Sequence, residues 1–142
     1  VHEWKCYIDV YSYEDKDGQP VFEKIQTVET AKLERGSSNA TSALTFSEDH
    51  KYLLSTVAGD NSAVLFSVDE QTGMLTKVFS LPISGEYPKD AALFPNNKFL
   101  VSLNHESNDM TFFHVDIKRG TLIMNGAPIK VNVPNCIIFH KI

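Results

Sequence analysis

Three observations predict that this 142-residue chain is all-β, a β-propeller of which about three four-stranded blades are present. The first is an internal repeat. Phe46-Ser47-Glu48-Asp49-His50-Lys51-Tyr52-Leu53-Leu54-Ser55 returns as Phe94-Pro95-Asn96-Asn97-Lys98-Phe99-Leu100-Val101-Ser102, and the run Val64–Leu75 returns as Thr111–Leu122. Lys51 and Lys98 lie 47 residues apart, as do Gly73 and Gly120. The second is strand chemistry within each repeat, short runs of β-branched and aromatic residues bounded by turn residues. The third is the period itself, since units of about 40–50 residues with four strands belong to propeller blades. A helical solenoid would need apolar residues at i, i+3 and i+4, and no useful run has them.

The elements follow in order. Residues 1–34 read as a partial blade, because Tyr11-Ser12-Tyr13-Glu14 and the Asp15–Gly18 turn copy the strand and turn from Phe66 to Gly73. Residues 35–84 form a whole blade with strands at Tyr52–Val57 and Ala63–Val68. Residues 85–133 form another, with strands at Phe99–Asn104 and Met110–Val115. Residues 134–142 supply one opening strand, since Cys136-Ile137-Ile138-Phe139 copies Ala91-Ala92-Leu93-Phe94, and that strand would close a ring. The turns Asp69–Gly73 and Asp116–Gly120 each end in Gly, which accepts the positive φ a tight hairpin needs. Pro20, Pro82, Pro88, Pro95, Pro128 and Pro134 fall at strand ends or between strands, where no ladder N–H is lost.

With strands a to d antiparallel in each blade, the a–b and c–d turns share one face. The b–c and d–a loops share the other: Arg35–Ser42, Ala58–Asn61, Ser84–Asp90 and Asn104–Asp109. These are the less regular segments, and variable loops on a rigid scaffold are where ligands are usually met.

Composition narrows the function. The chain is 42% hydrophobic and 22% charged, with a net charge of −5 and scattered Lys and Arg, which argues against a nucleic-acid partner. No apolar run approaches the roughly 18 residues of a membrane span. The start, Val1-His2-Glu3-Trp4, has neither an initiator Met nor the pattern of a signal peptide. The chain is therefore expected to be a piece of something longer or a processed product, with the cytoplasm as its default compartment. Cys6 and Cys136 sit in apolar segments and are expected to be buried, reduced thiols. The five histidines show no metal-ligand spacing, no Gly-x-Ser-x-Gly elbow is present, and no metal or cofactor is expected.

The ordered motifs resemble one family. Ser42-Ala43-Leu44-Thr45-Phe46-Ser47-Glu48-Asp49-His50-Lys51-Tyr52-Leu53 is similar to its strand-and-turn pattern, and Val68-Asp69-x-x-Thr72-Gly73-x-Leu75 to its Asp-x-x-Thr-Gly-x-Leu turn. Asn104-x-x-Ser107-Asn108 before Phe112-Phe113 resembles its last full blade, and Pro134-Asn135-Cys136-Ile137-Ile138-Phe139 its closing strand. The family is the seven-bladed propeller lactonases, and the resemblance runs over about residues 5 to 142. It includes propeller-type 6-phosphogluconolactonases and 3-carboxy-cis,cis-muconate lactonizing enzymes, which act on lactones of small acids without a metal. The resemblance implies a ring whose earlier blades lie outside this chain, and a small acidic lactone or sugar acid as ligand. Two departures stand out. Val57-Ala58-Gly59 replaces the family's Asn-Arg-Gly, and Pro88-Lys89-Asp90 replaces Pro-Arg-His or Pro-Arg-Asp, so a two-pronged arginine grip on an anion is lost.

The candidate site residues all come from the b–c and d–a loops or the strand ends beside them. His105 and Glu106 are candidates for acid/base chemistry, although neighbours on a strand point to opposite sides. The alternative is an ordinary solvated loop. Lys89 and Asp90 begin an inner strand beside the central channel, where Lys89 would meet an anion or form a local salt bridge. Asn104 would contact ligand or cap a turn. Arg35 would face the same mouth. Two functions stay open: an enzyme that opens or forms a lactone, and a non-catalytic propeller that binds a protein or metabolite. The chain itself is expected to need its missing blades or a second copy, because an open arc exposes strand edges.

Overall fold

The computed structural model describes residues 1–32 and 38–140. It contains eleven strands and no helix among the described residues. Strands β1 (Tyr7–Lys16) and β2 (Gln19–Glu29) form a hairpin. Strands β3 (Ala40–Phe46), β4 (Tyr52–Ala58), β5 (Ser62–Val68) and β6 (Leu75–Pro82) form an antiparallel meander, each pairing with its sequence neighbour. The last sheet repeats that order with β7 (Pro88–Leu93), β8 (Phe99–Asn104), β9 (Asp109–Asp116) and β10 (Thr121–Met124). Its outer strand is interrupted at Asn125–Pro128 and resumes as the two-residue β11 (Ile129–Lys130), which also pairs with β9. Gly126, at φ +82°, and Pro128 explain the break.

The sheets stack face to face. Leu54 and Leu65 of the middle sheet pack with Ala91, Leu93, Leu100 and Phe113 of the last. Their sequence neighbours Leu53, Val64 and Phe66 point the other way, onto Cys6, Ile8 and Ala31 of the first hairpin. A strand with apolar contacts on both faces must read as an unbroken apolar run, as β4 and β5 do. Strands β3 and β4 also pack against β7, so the inner strands of consecutive blades are neighbours.

The turn chemistry repeats with the strands. Asp69 Oδ1 accepts hydrogen bonds from Gln71 N, Thr72 N and Thr72 Oγ1, and Gly73 closes that turn at φ +71°. Asp116 Oδ1 accepts from Arg119 N, and Gly120 sits at φ +62°. On the opposite face, each b–c loop is tied to the connection leaving its own blade. Ile83 N donates to Asn61 O and Tyr87 N to Asn61 Oδ1. In the next blade Val131 N donates to Asn108 O and Val133 N to Asn108 Oδ1. Thr30 N donates to Cys6 O in the same way, so a cysteine at φ +50° stands where the later blades have asparagine.

Two expectations change. Cys6 is buried between the first two sheets, but Cys136 is exposed, because the segment that carries it pairs with no strand. The segment from Pro134 to His140 has no strand pairing. It lies beside β7, with Ile137 against the Ala92, Val101 and Leu103 cluster and the Phe139 ring 4.7 Å from Phe94. Ile137 N donates to Asp90 Oδ2 at 2.9 Å.

Candidate functional site

The face bearing the b–c and d–a loops gathers two of the residues singled out above, Lys89 and His105, around Tyr87. Lys89 opens β7, and its ammonium lies 4.9 Å from the centre of the Tyr87 ring. The His105 ring centroid lies 6.2 Å from that of the same ring. The backbone fixes this arrangement, since His105 N donates to Tyr87 O and Glu106 N to Glu86 O. The b–c loop of the last blade thus hangs on the connection that precedes it.

His105 Nδ1 lies 3.3 Å from Pro134 O. A carbonyl only accepts, so the contact requires the proton on Nδ1. In the neutral ring Nε2 then holds the lone pair, the form in which a histidine can take a proton from water. Glu106 is exposed and makes no hydrogen bond to the imidazole. The group orienting His105 is therefore a backbone carbonyl from the C-terminal segment, and Glu106 stands apart at the rim.

Asp90 and Asn104 are placed differently from the expectation of ligand contact. Asp90 is 7% exposed, with Oδ1 accepting from Ala91 N and Oδ2 from Ile137 N. Its carboxylate is used to hold the C-terminal segment. Asn104 is 0% exposed. Its amide Nδ2 donates to Asp109 Oδ1 at 2.9 Å, Thr111 Oγ1 at 3.1 Å and Ser84 O at 3.4 Å, while Oδ1 accepts from Ser102 Oγ. The amide is fully buried and its N–H groups are spent on protein acceptors, which takes it out of a ligand's reach. Gly85 makes room for it, since a Cβ there would meet the Asn104 amide at 2.1 Å. Arg35 lies outside the described residues.

Asp109 closes this network. Burial pushes its carboxyl up, but hydrogen bonds from Asn104, Ser107 and Lys130 and the Lys130 charge outweigh burial and hold it below the ordinary carboxylate value. Among the described residues no three His, Cys, Asp or Glu side chains converge as metal ligands would. A concavity of about 430 Å³ lies at the opposite end of the inner strands, lined by Phe46, Leu93, Pro95 and Ile137 to His140. It is mainly apolar and carries none of the singled-out residues.

Tyr87 and the Pro134 carbonyl were missed by reading the sequence. Tyr87 had a signal: its repeat partners differ from it in side chain while the surrounding pattern is kept. Pro134 had none, because a carbonyl is common to every residue and only the path of the chain aims this one.

The family model described as "Lactonase, 7-bladed beta-propeller" matches residues 1–139. A 6-phosphogluconolactonase of Bacillus subtilis is 26% identical over 122 residues, which is 85% of this chain and 35% of that protein. A 6-phosphogluconolactonase of Formosa agariphila is 35% identical over 78 residues, 54% of this chain and 22% of that protein. The solved periplasmic gluconolactonase of Pseudomonas aeruginosa superposes with a TM-score of 0.82 at 24% identity, covering 94% of this chain and 36% of that one. The chain thus spans about a third of the length of these relatives.

Proposed function

Because the chain belongs to the lactonase family of seven-bladed β-propellers, we propose that the complete ring opens the lactone of a small sugar acid in the manner of a 6-phosphogluconolactonase. The observation that carries this reading is the His105 Nδ1 contact with Pro134 O, which leaves Nε2 as a proton acceptor on the loop face. The names of the relatives support the substrate class. In the proposed step a water oxygen bonds to the lactone carbonyl carbon while Nε2 of His105 takes the water's proton. The tetrahedral oxyanion collapses, the ring C–O bond breaks, and the leaving alkoxide takes the proton back from Nε2. The Lys89 ammonium holds the phosphate or carboxylate of the substrate, and Glu106 exchanges protons with solvent at the rim. The step needs no metal. Run in reverse, the same groups would form a lactone.

A second reading, a propeller that binds a metabolite without turning it over, is favoured by one observation. Asp90 and Asn104 are committed to internal hydrogen bonds, so this arc brings one histidine and one lysine to the mouth. Hydrolysis of 6-phosphogluconolactone by the complete ring, corrected for spontaneous opening, separates the two. Saturable activity that falls about 100-fold or more in His105→Gln and whose KM rises in Lys89→Ala is the expected result. Activity equal to background in the wild-type ring would leave the binding reading standing alone.

A further inference from the structure

We propose that Tyr87 is a positioning residue: its ring holds the Lys89 ammonium where an oxyanion of the ligand meets it, and so sets affinity for the acidic group. The inference rests on the lactonase reading for the identity of that ligand, and on the repeat for its logic.

The backbone of Tyr87 is explained by the scaffold. Its φ is +58°, a conformation that bulky residues rarely adopt. Val133 occupies the matching place one blade later at φ +47°. Both donate N–H to the side chain of a b–c loop asparagine at 2.9 Å, Asn61 for Tyr87 and Asn108 for Val133. A valine therefore satisfies the backbone clasp at this place. The aromatic ring is what the scaffold does not explain.

That ring has a defined neighbour. Lys89 Nζ lies 4.9 Å from its centroid, within cation–π range. Lys89 forms none of the ion pairs among the described residues, although Glu86 and Glu106 are close along the loops and exposed. An ammonium backed by a ring but not neutralised by a carboxylate keeps its charge for an external anion. The ring also restricts a flexible four-carbon stem, so less rotamer entropy is lost when the anion arrives. Because His105 N donates to Tyr87 O, the element that places the cation also places the imidazole.

The test uses the complete ring and three variants: Tyr87→Val, the residue the repeat already accommodates, Tyr87→Phe, which keeps the ring, and Lys89→Met. Calorimetric titration with 6-phosphogluconate and with gluconate gives affinities that do not depend on turnover. Tyr87→Val is expected to weaken binding by about two- to fivefold, the worth of a cation–π contact at a part-exposed site, and Tyr87→Phe to retain it. In the Lys89→Met background the Tyr87→Val effect is expected to vanish, which a merely structural role would not produce. Loss with both ligands assigns the contact to a carboxylate, and loss confined to 6-phosphogluconate assigns it to the phosphate. The proposal is overturned if wild type shows no saturable binding, if Tyr87→Val binds like wild type, or if its effect persists without Lys89. Failure of the lactonase reading is separate: it appears as absent turnover beside intact, Tyr87-dependent binding.

Discussion

At the scale of single residues, the candidate site rests on side chains buried beneath it. Asn104 was read as a residue at a strand end that would meet ligand or cap a turn. It is instead the centre of a buried network, because Asp109 and Thr111 arrive beside it from the next strand. Pairing across strands decides that placement, and a single strand's sequence does not contain it. Replacing Asn104 by Ala should cost about 2 kcal/mol in denaturant unfolding, since it removes one of three donors to the nearly buried Asp109 carboxylate and the side-chain partner of the buried Ser102 hydroxyl. The acid dependence belongs here as well. Asp109 titrates below its unfolded value, so its contribution is present above about pH 4 and is lost as pH falls through the lower folded value. Stability of Asp109→Asn should therefore vary less with pH below 4 than that of wild type. Equal slopes in the two proteins would show that the network does not couple to folding.

At the scale of elements, the strands β4, β5, β8 and β9 lie within a residue of where their apolar runs put them. They were legible because stacked sheets bury both faces of each strand, and that demand writes itself into every position. The outer strands were less so, since only one face is covered. The break between β10 and β11 carries an Asn125-Gly126 signal, but the resumed pairing of Ile129 and Lys130 with β9 depends on tertiary closure. The loop clasps are a further element-scale device. Asn61→Gly keeps the positive φ and removes only the bond to Tyr87 N. It should lower stability by about 1 kcal/mol and loosen amide protection at Tyr87 in hydrogen exchange. Unchanged protection there would mean that the Asn61 backbone bonds suffice.

At the scale of the whole molecule, the chain is an arc with two open ends. At one end β1 has a free edge, and at the other the segment from Pro134 to His140 lies unpaired with Ile138 89% exposed. The apolar concavity between Phe46, Leu93 and Phe139 adds further uncovered apolar surface at that end. Isolated in solution, the 142-residue chain should self-associate in a concentration-dependent way in light scattering. A monodisperse monomer at high concentration would show that the arc protects its own ends. The ring as a whole was foreseeable from the 47-residue period, whereas the mouth was not, because its chemistry sits in loops that differ from blade to blade.

The neighbour-only pairing within each sheet has a consequence for how such a chain is made. Apart from β11, which returns to β9, each strand after the first of its sheet joins the one synthesised just before it, so these closures span short loops and cost little chain entropy. Local topology of this kind folds early and in order. A blade emerging from the ribosome can thus complete its sheet and dock on its predecessor before the next is translated. The less local contact, Ile137 N with the Asp90 carboxylate, spans 47 residues and must wait until that later segment has been made.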